Sequence, residues 1–375
     1  MQRTLRITRF VLAFAFPFAV GPAVAATFCV ASEGALTAAL HDAETNAQDN
    51  EIRIHAGHYT APAGEGWHID LFEGDFSLSV VGGFTDAECT VRSADASATT
   101  LDGNHAARPL TIDTSRSFGA ANAEHHIIVS GLTFLDGSDA AVGGLKISDP
   151  GPIYGGTILV EGNVFLGNEI SAGSLEGGPA LLAATDGPDF SGGTGLIVRN
   201  NLFARNLGPD ASAVFVYSNN HVEIVNNTFA DNHMADESID DRAVLKFFVF
   251  SGIGFENNIF WGNNVAGKES VHDLNLTAAV DLEHNDIEFR VGDPGSETGT
   301  LAVDPLFADT ENDNYTLAST SPLIDAGVDA PIGGISSFDL KGATRVQGAH
   351  IDLGAYEFGA LAIDAIFDDG FEPAP

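Results

Sequence analysis

The residues best equipped for chemistry gather in one stretch, His233-Met-Ala-Asp236-Glu237-Ser-Ile-Asp240-Asp241-Arg242, with Lys246 shortly after it. Carboxylates at Asp240 and Asp241 suit a hard cation such as Ca²⁺, and a basic head at Lys246 or Arg242 beside them would be placed to take a proton. His233 and Glu237 complete a candidate ligand-contacting set, and neighbouring corner loops offer Glu169, Glu176, Asp210, Lys268 and Glu269. The competing reading is a solvated acidic loop in which Arg242 pairs with Asp240 or Asp241, the usual state of loop charges. Other clusters are weaker. Asp309-Thr-Glu311-Asn-Asp313 alternates carboxylates but lacks the glycine and distal glutamate of an EF-hand loop. His125 and His126 are adjacent, so on a strand they face opposite ways and make a poor metal pair. No cofactor motif is present, and Ca²⁺ is the one ion that the carboxylates would suit.

These side chains need a scaffold, and an internal repeat supplies it. Four segments align without gaps: Asn163-Val-Phe165-Leu-Gly-Asn168, Asn201-Leu-Phe203-Ala-Arg-Asn206, Asn227-Thr-Phe229-Ala-Asp-Asn232 and Asn258-Ile-Phe260-Trp-Gly-Asn263. An apolar strand precedes each copy. A degenerate copy earlier in the chain puts Phe134 in register, and a later one puts Asn285 and Ile287 in register. The phenylalanines are spaced unevenly, at 31, 38, 26 and 31 residues. Helical repeats keep a nearly fixed period, whereas stacked short strands tolerate insertions at their corners. The pattern therefore predicts an all-β solenoid, a right-handed parallel β-helix. Its corners would hold a ladder of Asn163, Asn201, Asn227, Asn258 and Asn285 near the left-handed conformation, with the phenylalanines in one internal column. A second strand in each coil, such as Val244–Val249, alternates so that Lys146 and Lys246 face outward.

The first residues carry Arg3, Arg6 and Arg9, then an apolar run from Phe10 to Val20 and the small-residue site Ala23-Val24-Ala25. That order reads as a secretory signal peptide over 1–25 and places the mature chain outside the cell or at its surface. No later run is long and apolar enough to span a bilayer. The net charge of −36 becomes three units more negative without the leader. It argues against nucleic acid or an anionic membrane as partner. Cys29 and Cys89 are the only cysteines, and in an exported chain they read as a disulfide.

Open ends of a solenoid need covers. Gly34–Ala47 reads as an amphipathic helix with Leu36, Ala39, Leu40 and Ala43 on its apolar face, and Glu51–Tyr59 reads as a strand. Apolar residues between the turns of 301–358 are expected to seal the last coil. The resulting plan is a leader (1–25), an N-terminal helical cap with first coils (26–110), β-helix repeats (111–300), a C-terminal capping segment (301–358) and an acidic tail (359–375).

The opening, with Ile52 to Tyr59, Val81-Gly-Gly-Phe84 and Thr100-Leu-Asp-Gly103, resembles secreted bacterial proteins of the pectin-lyase-like right-handed β-helix superfamily. The ending from Asp304 to Glu357 is similar to the choice-of-anchor Q domain subgroup. That superfamily includes pectate lyases, polygalacturonases and alginate-type lyases, so the resemblance implies acidic polysaccharides as substrates. The hydrolase signatures NTD, GHG and RIK and the lyase motif W-x-D-H do not occur in this chain. The expectation is therefore a non-catalytic β-helix presenting a long face to an extracellular polysaccharide or cell-surface partner. The alternative is a lyase or glycoside hydrolase acting on acidic glycans, with Lys246 or Arg242 as base and Asp240 and Asp241 holding Ca²⁺.

Overall fold

A computed structural model of the chain describes residues 25–71, 76–114, 126–149, 157–170, 177–185, 194–234, 242–263, 271–277, 279–359 and 366–367. The expected leader and most of the acidic tail lie outside these residues. Among those described, no helix is long and apolar enough to cross a membrane.

The chain winds as a right-handed parallel β-helix. One coil runs through His221–Val225 in a first sheet, Thr228–Ala230 in a second, His233–Met234 in a short sheet and Arg242–Val249 in a third. It then re-enters the first sheet at Ile253–Glu256. Stacking such coils gives parallel ladders of ten, eight, four and seven strands. The expected strand over Glu51–Tyr59 is in fact two: Asn50–His55 belongs to the first sheet and Gly57–Thr60 to the second.

The internal column forms as the spacing predicts. Phe134, Phe165, Phe203, Phe229 and Phe260 stack with centroids 4.9, 4.8, 4.7 and 4.3 Å apart. Register extends the column down through Leu101 to Tyr59 and up to Ile287. Each buried ring contributes about 1.5–3 kcal/mol.

At the corner between the first and second sheets, the ladder asparagines point inward and are fully buried. Asn227 Nδ2 donates to Val198 O at 2.8 Å and to Asn258 Oδ1 at 3.0 Å, while its Oδ1 accepts from Asn201 N and Nδ2. The same pattern joins Asn163, Asn201, Asn258 and Asn285. The left-handed conformation falls one residue earlier than the sequence reading placed it, at Asn200, Asn226, Asn257 and His284. A second ladder occupies the next corner. It is built from the last asparagine of each phrase, running Asn168, Asn206, Asn232, Asn263, and it ends on Asp273.

Helix α1 (Glu33–Thr45) is capped by Ser32, which accepts from Ala35 N, and it buries the four apolar residues expected. It closes the first coil. Glu33 and Glu44 accept from the backbone N–H groups of Thr60 and Asp70, and Trp67 donates to Thr37. Edge amides that would otherwise face solvent are thereby paired.

The C-terminal segment does not simply seal the far end. Leu301 continues the stack beside Asn285 and Ile287, and the chain then runs back along the side of the solenoid as a strap. The outward-facing corner residues hold it. His284 bonds Ala326 O, Asn257 bonds Val328 O, Asn226 bonds Asp352 O and Asn200 bonds Phe338 O. Each Asn–Asn doublet thus divides its work: the first residue grips the strap and the second builds the ladder. Leu340, Tyr315, Ala355 and Tyr356 cover Leu202, Ala204 and Ala230 of the second sheet, and Leu340 O reaches Ala96 N in an early coil. Gly354, at φ 83°, lies where a Cβ would come within 2.6 Å of Ile259 and Thr228, so only glycine fits. Arg345 and Glu357 form a buried pair at 3.8 Å.

Cys29 and Cys89 are bonded, with Cα atoms 5.7 Å apart, tying the first strand to the loop after Leu78–Phe84. Replacing both by serine is expected to lower stability by roughly 4 kcal/mol through the freed loop. Chemical unfolding of the oxidised, reduced and double-serine proteins would check this, and equal midpoints would contradict it.

Candidate functional site

Two sides and one end of the solenoid are covered. The strap covers the second sheet, α1 closes the first coil, and residues 328–338 lie over part of the first sheet. There Arg199 Nη1 donates to Gly333 O at 2.9 Å and Ile332 N donates to Glu256 Oε2 at 2.7 Å. On the outer face of the third sheet, large side chains reach solvent.

Parallel register sets out that face. Lys246 lies beside Phe215, and Phe248 beside Tyr217. Strand alternation turns Leu245 into the core and Lys246 and Phe248 out. Phe248 is 48% exposed and Phe250, just beyond the strand, is 70% exposed. Each is braced from the neighbouring strand. Phe215 meets Phe248 at a tilt, with centroids 5.8 Å apart, and Tyr217 meets Phe250 edge-on at 6.0 Å. Lys246 Nζ lies 5.8 Å from the Phe248 centroid.

Lys246 faces outward as expected, but it is not a free base. Its ammonium is held by both oxygens of Asp210, at 2.9 and 2.7 Å, so it acts there as a donor. One half of the same face is polar, with Lys146 and His68 on the two oxygens of Asp113 at 2.8 and 3.2 Å. Just past the turn after Phe250, His221 bonds the buried Glu223 at 2.6 Å. That hydrogen bond raises the His221 pKa.

Arg242 requires a correction. It starts the same strand as Lys246 yet is only 2% exposed, one of the largest fully buried side chains. That burial keeps its guanidinium off the solvent-facing row that holds Lys246 and Phe248, so the expected role as a surface base is not met. Arg242→Ala is expected to cost about 3 kcal/mol by emptying a packed site. Lys246→Ala should cost under about 1 kcal/mol. Comparing thermal midpoints of the two variants tests the contrast. His233 is exposed on the short sheet. Asp236, Glu237, Asp240 and Asp241 lie outside the described residues. Asp309 to Asp313 forms a short 3-10 turn with Asp313 left-handed, a polar turn as expected.

Sequence reasoning missed the aromatic pair. Its signal lay in the run Phe247-Phe248-Val249-Phe250, where alternation from an outward Lys246 already implies an outward Phe248.

The sheets define the class: a right-handed parallel β-helix. No family model matches the sequence, and no curated protein matches it either. Among solved structures, the chain is similar to the crystal structure of pectate lyase Pel9A. Identity is 13%, over 89% of this chain and 96% of that one, with a TM-score of 0.28.

Proposed function

We propose that this is an exported, non-catalytic β-helix protein that binds an extracellular polysaccharide along the outer face of its third sheet. The observation that carries the reading is the solvent-facing pair Phe248 and Phe250, braced by Phe215 and Tyr217. Exposed, immobilised rings rimmed by polar groups are the surface chemistry of a recognition site rather than of a bare scaffold. The secretory leader, the disulfide and the strong negative charge support an extracellular, dispersed protein. The likeness of Asp304–Glu357 to choice-of-anchor Q proteins supports placing the chain in that group, on the cell surface or released.

The burial of Arg242 and the pairing of Lys246 with Asp210 favour binding over a lyase that would use either as its base. Native electrophoresis through polysaccharide-loaded gels, paired with assays for unsaturated product and new reducing ends with and without Ca²⁺, tests the proposal. Retardation without turnover is expected. Turnover that survives purification and disappears on replacing residues of this face would sink it.

A further inference from the structure

The third-sheet face also bears on which glycan it takes. We infer that it selects an uncharged, extended polysaccharide rather than a uronic acid polymer, an inference that rests on the polysaccharide-binding reading above.

The first ground is electrostatic. Binding a polyanion takes unpaired cations in a row. Among the described residues, the lysines of this face are Lys146 and Lys246, and each is closed by a carboxylate, Asp113 at 2.8 Å and Asp210 at 2.7 Å. Lys246 is bound by both oxygens of a largely buried Asp210, so recruiting it to an anionic ligand would strand that carboxylate. The whole chain adds a field from a net charge of −36, which repels an approaching polyanion at low salt.

The second ground is shape. Phe248 and Phe250 lie two residues apart on one face, so strand geometry separates them by about 7 Å. Phe250 N still bonds Ser218 O, which keeps it on the ladder's course. That separation is comparable to one sugar residue along an extended chain. An aromatic ring offers a flat apolar surface to the C–H face of a pyranose, and the tilted contact from Phe215 and the edge-on contact from Tyr217 brace both rings before ligand arrives. The hydroxyls of the sugar would meet the polar rim, which includes the Tyr217 hydroxyl. This recognition requires no charge on the ligand.

The test uses the intact mature protein. Retention on amorphous cellulose and retardation by hydroxyethyl cellulose or xyloglucan would be compared with polygalacturonate and alginate, at low and high salt and with and without Ca²⁺. The neutral polymers should bind, with little change between the two salt levels. Phe248→Ala with Phe250→Ala should weaken that binding by at least about tenfold while the melting midpoint stays put. Preferential binding to polygalacturonate or alginate, with or without Ca²⁺, would overturn this inference and leave the polysaccharide reading standing. Binding to none of the polymers would overturn both. So would a concentration-dependent dimer abolished by the two substitutions, because the patch would then belong to a second copy of the chain.

Discussion

Lowering the pH from about 8 to about 5 is expected to raise the unfolding free energy, on the order of 6 kcal/mol in total, against the usual direction of acid destabilisation. Three buried carboxyls cause this. Glu256 is pushed up to about 7, first by burial and then by Glu223 and Glu283 alongside it. Asp273, which ends the second ladder, is pushed up to about 7 by burial and then by Glu288 and Asp286. Asp286 reaches about 7 for the same first reason, with Glu288 and Asp304 adding to it. In each case the folded pKa lies above the unfolded one, so folding takes up a proton between the two values. The contribution is fully present below the unfolded pKa and is lost as pH rises through about 7. Each group accounts for about 2 kcal/mol over that interval. Asp86, lowered to about 2 by its bonds from Thr90 and Val91, and Asp139, also lowered, act oppositely at the acid end. Their support is present above the unfolded value and is lost as pH falls through the folded one, so the optimum lies near about pH 5. Urea unfolding across this range measures the slope. Glu256→Gln keeps an oxygen for Ile332 N and should flatten the curve by raising stability near pH 8. A flat or rising wild-type profile from pH 5 to pH 8 would refute the account.

The second large effect belongs to the ladders. Asn227→Ala together with Asn232→Ala is expected to cost about 6 kcal/mol, roughly 3 at each corner. Asn232 Nδ2 donates to Phe203 O and Asn263 Oδ1, and its Oδ1 accepts from Asn206 N and Nδ2, just as Asn227 does one corner earlier. Alanine strands the two buried carbonyl partners below and above, together with the amide groups of Asn201 or Asn206 that it would no longer accept. Water cannot repair them, because both asparagines are fully buried. Asn226→Ala, which loses the strap bonds and one long bond from Asn257 Nδ2 but leaves both ladders intact, should cost about 1 kcal/mol and serves as the control. Denaturant midpoints for the three variants decide the matter. A double variant no weaker than the control would mean that the ladders carry no stability.

What could be read from the chain depended on whether it recurred. The phenylalanine column and first ladder recur in register, and so did their interpretation. The second ladder recurs in the same phrase at Asn168, Asn206, Asn232 and Asn263, and needed only the same argument applied once more. The strap was illegible for a physical reason. Its bonds join residues from 42 to more than a hundred positions apart, such as His284 to Ala326, Asn226 to Asp352 and Arg199 to Gly333, and they leave no period in the sequence. Arg242 misled because an arginine after an acidic run looks solvated, while in the fold it is buried. Lys246 was placed correctly by alternation, but its partner Asp210 comes from the preceding coil. Which neighbour a charge meets is decided by stacking, and stacking is known only once the loop lengths between coils are resolved in space.

The strap changes what kind of object the solenoid is. A stack of coils that touch only their nearest neighbours behaves like a one-dimensional chain, free to fray from either end while the middle persists. Here a single segment leaves the last coil, grips the corners of successive inner coils and meets Ala96 near the beginning. An opened coil at either end would drag on contacts many coils away. Loss of the terminal turns is thereby coupled to loss of the whole, and a molecule built by repetition unfolds as one cooperative unit.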